Sequence, residues 1–185
     1  MKKILLLLFL IFISSEINSQ EKDKYSVWAN AGGGISFSKF SKGSGGLLAN
    51  FGLSASLNGW MISLKHRNET EFLSFSNPNE SFKTTSILFG LSHNLFKEGR
   101  PTQLMTNILI GASFISITER GNLIHRELFG SKYAEVHHSA IGLPIEIEMQ
   151  LRIPKYFGFS FMVYSDINSF ENLFGFGFNL LVGKM

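Results

Sequence analysis

The chain has 185 residues, 44% of them apolar and 17% charged, with 19 Phe, 18 Gly, 4 Pro and no Cys, which suits one folded domain and is too apolar for a disordered chain. The absence of Cys excludes a disulfide scaffold, a zinc–thiolate or iron–sulfur site, a thiol nucleophile and an amino-terminal lipid-modified Cys. A formal charge of +3 from scattered Lys and Arg points away from nucleic acid as a partner.

Residues 1–19 read as a secretory signal peptide. Met1, Lys2 and Lys3 form a cationic start, Ile4 to Ile13 is an unbroken apolar run of ten, and Ser14 to Gln20 is polar and small. Ten residues make a helix of about 15 Å, half the hydrocarbon thickness of a bilayer. Cleavage is expected near Ser19 or Gln20, and residues 20–185 form the mature domain. Removing Lys2, Lys3 and Glu16 leaves fifteen basic against thirteen acidic residues. No later stretch reaches 18 consecutive apolar residues, so the remaining routes are soluble secretion or a membrane β-barrel.

From Tyr25 onward the apolar period is two, the signature of strands with one apolar face. Tyr25 to Phe37 sets Val27, Ala29, Ala31, Ile35 and Phe37 against Ser26, Asn30, Gly32, Gly34 and Ser36, with Trp28 an exception on the polar face. Leu47 to Leu57 alternates likewise and meets Asn58-Gly59, a strong signal for a two-residue hairpin turn. The returning strand carries Trp60, Ile62 and Leu64 opposite Ser63, Lys65, Arg67, Glu69 and Glu71. Thr84 to Leu95 and Leu104 to Thr118 repeat the pattern. Ile141 to Ile153 is the clearest case: every odd position is large and apolar, while the even positions are Gly142, Pro144, Glu146, Glu148, Gln150 and Arg152. Phe157, Phe159 and Phe161 follow, and the last strand sets Phe174, Phe176, Phe178, Leu180 and Val182 against Gly175, Gly177, Asn179 and Gly183. Eight strands result, with no convincing helical period.

The connections test this reading, because an outer-membrane barrel alternates long outer loops with short inner turns. The expected outer loops are Ser38 to Gly46, Ser74 to Lys83, Arg120 to Val136 and Ser165 to Asn172. The expected inner turns are Asn58-Gly59, Phe96 to Gln103 and Pro154-Lys155. A soluble barrel buries its large apolar side chains, whereas an outer-membrane barrel turns them to lipid. Gly, Ser and Asn on the polar face suit a narrow eight-stranded lumen. Lys65, Arg67, Glu146, Glu148 and Arg152 share that face and are expected to neutralise one another inside it. The expected lipid-facing set is Phe157, Phe159, Phe161, Phe174, Phe176 and Phe178, with Tyr25, Trp60, Tyr156 and Tyr164 as a partial aromatic girdle.

These residues resemble the small outer-membrane β-barrel proteins of Gram-negative bacteria, the OmpA/OmpX-like, porin-family superfamily. The likeness is strongest to a group with a GLPIE-type strand (Gly142 to Glu146) and a closing run FGFSFMVYSDINSFENLFGFGFNLLVGKM, from Phe157 to Met185. The resemblance implies an all-β, eight-stranded, antiparallel up-and-down transmembrane barrel in the outer membrane, a monomer surrounded by lipid. It also implies that the outer-membrane insertion machinery reads the last strand through Gly175, Gly177, Leu180 and Val182. The chain departs from that signal in having Gly at its usually polar first position and in ending Gly183-Lys184-Met185 rather than on an aromatic residue.

The best constellation for chemistry is His125, Glu127, His137, His138 and Ser139, beside the longest expected loop. No spacing there matches a nucleophile motif or a three-ligand zinc site. Glu146 and Glu148, about 7 Å apart along one face, read as part of the lumen network rather than as a catalytic pair. Gly32 to Gly34 and Gly43 to Gly46 lack the Lys and following helix of a phosphate loop. The sequence therefore gives no catalytic residue, cofactor or metal. The expected role is structural or accessory, or binding through outer loops, with Arg120 to Val136 as the candidate partner surface, unless its Leu123, Ile124, Leu128, Phe129 and Tyr133 pack on the barrel rim instead. The alternatives are an outer-membrane enzyme acting on lipid A through the His137 region and a soluble periplasmic lipocalin-like carrier.

Overall fold

The structure, a computed structural model, describes residues 25–37, 46–72, 78–96, 102–127, 130–153 and 156–184. The expected signal peptide, the turn Pro154-Lys155, most of the 38–46 loop, and Leu128 and Phe129 lie outside the described residues. Eight antiparallel strands close into a barrel in chain order: β1 (Tyr25–Phe37), β2 (Gly46–Leu57), β3 (Trp60–Glu71), β4 (Ser81–Asn94), β5 (Gln103–Glu127), β6 (Gly130–Ile153), β7 (Phe157–Asn168) and β8 (Leu173–Lys184).

The register shows how the wall closes. Tyr25 pairs with Leu57, Leu57 with Trp60, Trp60 with Leu91, Leu91 with Ile108, Ile108 with Ile147, Ile147 with Val163, Val163 with Phe176, and Phe176 with Ile35. One circuit returns to β1 ten residues further on. That offset is the shear that tilts the strands, about 35–45° in barrels of this size. Every residue on the circuit is apolar or aromatic and points away from the lumen, and on β6 from Ser139 to Ile153 each outward residue alternates with a buried one. At the inner end, Asn58 and Gly59 take φ of 50° and 82°, the left-handed pair that a two-residue hairpin turn requires.

The strands at the other end run further than expected. The 17-residue loop expected from Arg120 to Val136 is instead a continuation of β5 and β6, paired as far as Glu127 with Gly130. Register shifts between Arg120 and Leu123 and between Leu123 and His125 break the period of two, so the alternation that marks a strand is absent from the sequence there. β7 likewise continues through Ser165, Asp166, Ile167 and Asn168, four residues into an expected loop. Asn168 ends it: its Oδ1 accepts hydrogen bonds from the backbone N–H groups of Phe170 at 3.0 Å and Glu171 at 2.9 Å, the local bonding that makes Asn a turn residue.

Two inward glycines let β4 and β5 approach closely. A Cβ on Gly111 would lie 1.8 Å from the carbonyl oxygen of Ile87, and one on Gly90 would lie 1.8 Å from that of Ile108. A backbone obstacle cannot rotate away, so Gly111→Val is expected to cost at least the 1–3 kcal/mol typical of overpacking. Refolded Gly111→Val should yield less of the compact, boiling-sensitive band seen on unboiled gels. A wild-type yield would mean that the two strands do not meet this closely.

Candidate functional site

The lumen is stratified. Trp28, Met61, Leu88, Leu109 and Leu181 form a buried apolar cluster in its inner half. Phe82, Ile115, Ile117, Ala140 and Leu173 form a second toward the outer end, and Leu48 and Met162 pack with Tyr164 between them. Sequence alternation missed these layers because they occupy the face expected to be polar. Their signal is its local failure: Ile87-Leu88-Phe89, Ile108-Leu109-Ile110 and Leu180-Leu181-Val182 are apolar without a break, and the middle residue of each points inward.

Between the apolar layers lies the charge. Successive inward positions of β3 supply Lys65 and Arg67, and those of β6 supply Glu146 and Glu148 across the lumen. Lys65 Nζ donates to Glu146 Oε1 and lies 3.4 Å from Glu148 Oε2, while Arg67 donates to Glu146 Oε2. These side chains are at most 1% exposed. One carboxylate thus bridges two cations, and its neighbour adds the second negative charge. Burial of this kind is tolerable only when the charges are paired.

Arg152, expected in the same network, stands apart from these ion pairs. Six residues from Glu146 along β6, it is carried to the inner mouth, where its guanidinium donates to Gln150 Oε1 at 3.0 and 2.9 Å and lies 4.4 Å from the Trp28 ring centre. The Trp28 exception in the alternation therefore has a place: it is the inward platform for Arg152. Tyr164 is also inward and buried rather than part of a girdle. Its hydroxyl donates to Glu69 Oε1 at 2.8 Å, and the Arg67 guanidinium covers its ring at 4.3 Å. Asp166, buried on β7, was hidden in the expected loop. Inward parity continued two residues past Tyr164 would have found it.

The outer wall is the reverse of a soluble surface. Phe157, Phe159, Phe161, Phe174 and Phe178 are exposed and Phe176 is half-buried among them. Phe157 and Phe159 meet edge to face at 5.0 Å, and Phe161 lies 5.1 Å from Phe178. A carrier would need such rings to line a cavity, whereas here they face outward. Tyr25, Trp60 and Tyr156 are exposed at the inner rim.

The histidines do not assemble a site. His137 is exposed, 3.3 Å from Thr118 Oγ1 and 3.5 Å from Glu135. His138 points the other way, 3.9 Å from Glu119, with its ring 5.0 Å from that of Phe170. His125 sits further out on the hairpin, paired with Lys132. Among the described residues, no three His, Asp or Glu side chains converge as metal ligands.

A closed antiparallel barrel of eight strands with a plugged lumen and an apolar outer wall is the architecture of the small outer-membrane barrels. Three crystal structures share the barrel fold. Neisserial surface protein A is 14% identical, with a TM-score of 0.54 over 88% of this chain and 99% of that one. The N-terminal β-barrel domain of Pseudomonas aeruginosa OprF is 12% identical, with a TM-score of 0.51 over 86% and 99%. The attachment invasion locus protein of Yersinia pestis, solved with the heparin analogue sucrose octasulfate, is 12% identical, with a TM-score of 0.52 over 89% and 100%. At these identities the likeness is one of fold. No family model and no curated protein matches the chain.

Proposed function

We propose that this chain is an outer-membrane barrel with a structural or accessory role in the cell envelope, and that its binding capacity lies in the outer hairpin rather than in a pore. The observation that carries this reading is the inversion of the barrel, with an apolar wall outside and a lumen closed by side chains inside. Export would use residues 1–19, and the insertion machinery would read β8. The hairpin of β5 and β6 holds exposed Leu123 and Ile124 among His125, Arg126 and Lys132. Apolar residues standing clear of a barrel among charged ones suit a protein partner.

Cell fractionation with a heat-modifiability gel tests the placement. The protein should be recovered with the outer membrane as a compact band that shifts on boiling. Recovery in the soluble periplasm would defeat the proposal and restore the carrier.

A further inference from the structure

Among the described residues three cations are buried in the lumen, and only two of them have acids. Lys65 and Arg67 share Glu146 and Glu148. Arg152 directs Nε and Nη2 to the neutral Gln150 Oε1 and lies over the Trp28 ring. Glu148, the next acid on β6, is four residues deeper and held by Lys65. The contrast with Arg67 is also one of access. Arg67 Nε and Nη1 are enclosed without an acceptor, whereas Arg152 Nη1 lacks an acceptor but is not enclosed. It stands at the mouth, where a ligand entering from below can reach it.

The mouth around it is uncharged. Across the strands Arg152 faces Gln103 on β5 and Gly158 on β7, which has no side chain. Ser26, Ser56 and Asn94, half-buried inward residues of β1, β2 and β4 at the same end, include no acid. In the sequence, the connections from β4 to β5 and from β6 to β7 hold Lys97, Arg100 and Lys155 against Glu98. That end of the chain therefore draws anions. It offers them one lumen cation with no competing carboxylate.

We propose that the inner mouth of the barrel binds the free C-terminal carboxylate of an extended tail on a periplasmic protein. This inference rests on the outer-membrane reading, which turns that mouth to the periplasm. Three features choose the ligand. Arg152 lies inside the wall, so lipid head groups around the barrel do not reach it. A single cation matches the one negative charge of a carboxylate rather than the nearly two of a phosphate monoester. An eight-stranded lumen is only wide enough for side chains, so a chain end enters it, while a folded domain or a stem peptide fixed to a cell-wall glycan strand is held off by its bulk. The carboxylate accepts from Arg152 Nη1, and the last peptide groups of the tail bond to the Gln103 amide and the Ser26 and Ser56 hydroxyls.

The test places the full barrel in phosphatidylcholine nanodiscs, which leave both mouths open. It is titrated with a dye-labelled Gly-Ser peptide ending in a free carboxylate and with the same peptide amidated. Fluorescence anisotropy should show the acid bound about tenfold more tightly than the amide. Arg152→Gln should erase that preference. Gln103→Glu, which sets a carboxylate across from Arg152 without removing it, should erase it too, and so separates occupancy of Arg152 from damage done by its loss. Lys184→Ala, on the outward face of β8, should keep it. Equal binding of acid and amide by the wild type would overturn the proposal. So would a preference that survives Arg152→Gln or Gln103→Glu, a preference lost with Lys184→Ala, or binding of solubilised cell-wall fragments without the peptide acid. A barrel that forms the compact band without preferring the acid overturns this inference alone; a chain that forms no compact band in any bilayer overturns the outer-membrane reading beneath it.

Discussion

Glu146→Gln is expected to destabilise the folded barrel by about 3–5 kcal/mol, the scale of breaking a buried ion pair by removing one partner. The side chain keeps its shape and loses its charge, so packing changes little. Lys65 and Arg67, both bonded to this carboxylate, are then left with Glu148, which lies 3.4 Å from Lys65. The apolar layers on either side keep bulk water from repairing the loss. Urea titration of the compact band measures the effect. Adding Lys65→Met should return part of the stability, because the pair then leaves the lumen together. A loss below about 1 kcal/mol, the range of exposed pairs, would show that water wets the network and that the apolar layers do not seal it.

How much of this was legible depends on what a period of two can report. Where one face is uniformly apolar and the other uniformly polar, as from Ile141 to Ile153, parity placed each side chain on its face. β1 runs from Tyr25 to Phe37, the bounds read from the sequence. Parity also placed Lys65, Arg67, Glu146 and Glu148 together on the polar face, but height along the barrel depends on tilt and register. That is why Arg152, on the correct face, stands at the mouth beside Trp28 instead of with the acids. The lumen's apolar layers were hidden for a different reason. A narrow barrel has to fill its interior, and the inward Leu and Met that do so look like noise in the alternation. The outer hairpin looks like a loop in the sequence because its bulges shift the register and erase the period, although the backbone pairing continues.

Ile147→Arg tests the inversion from outside. Ile147 lies midway along the pairing circuit of the wall, between Ile108 and Val163. It is half exposed, while Glu148, the next residue, is fully buried. In a soluble barrel an Arg at such an exposed position would be neutral or would improve solubility. In a bilayer the same cation is driven into hydrocarbon, at about 2–4 kcal/mol near the midplane of a transmembrane barrel. Ile147→Arg should therefore lower the urea midpoint of the compact band in phosphatidylcholine vesicles. Tyr156→Arg, at the exposed inner rim, should change it by no more than about 1 kcal/mol, because cost falls toward the interface. Equal tolerance of Arg at both positions would mean that the Phe-rich wall faces water. The buried charges would then be a soluble protein's polar core, and the outer-membrane assignment would fail with the lipid-facing one.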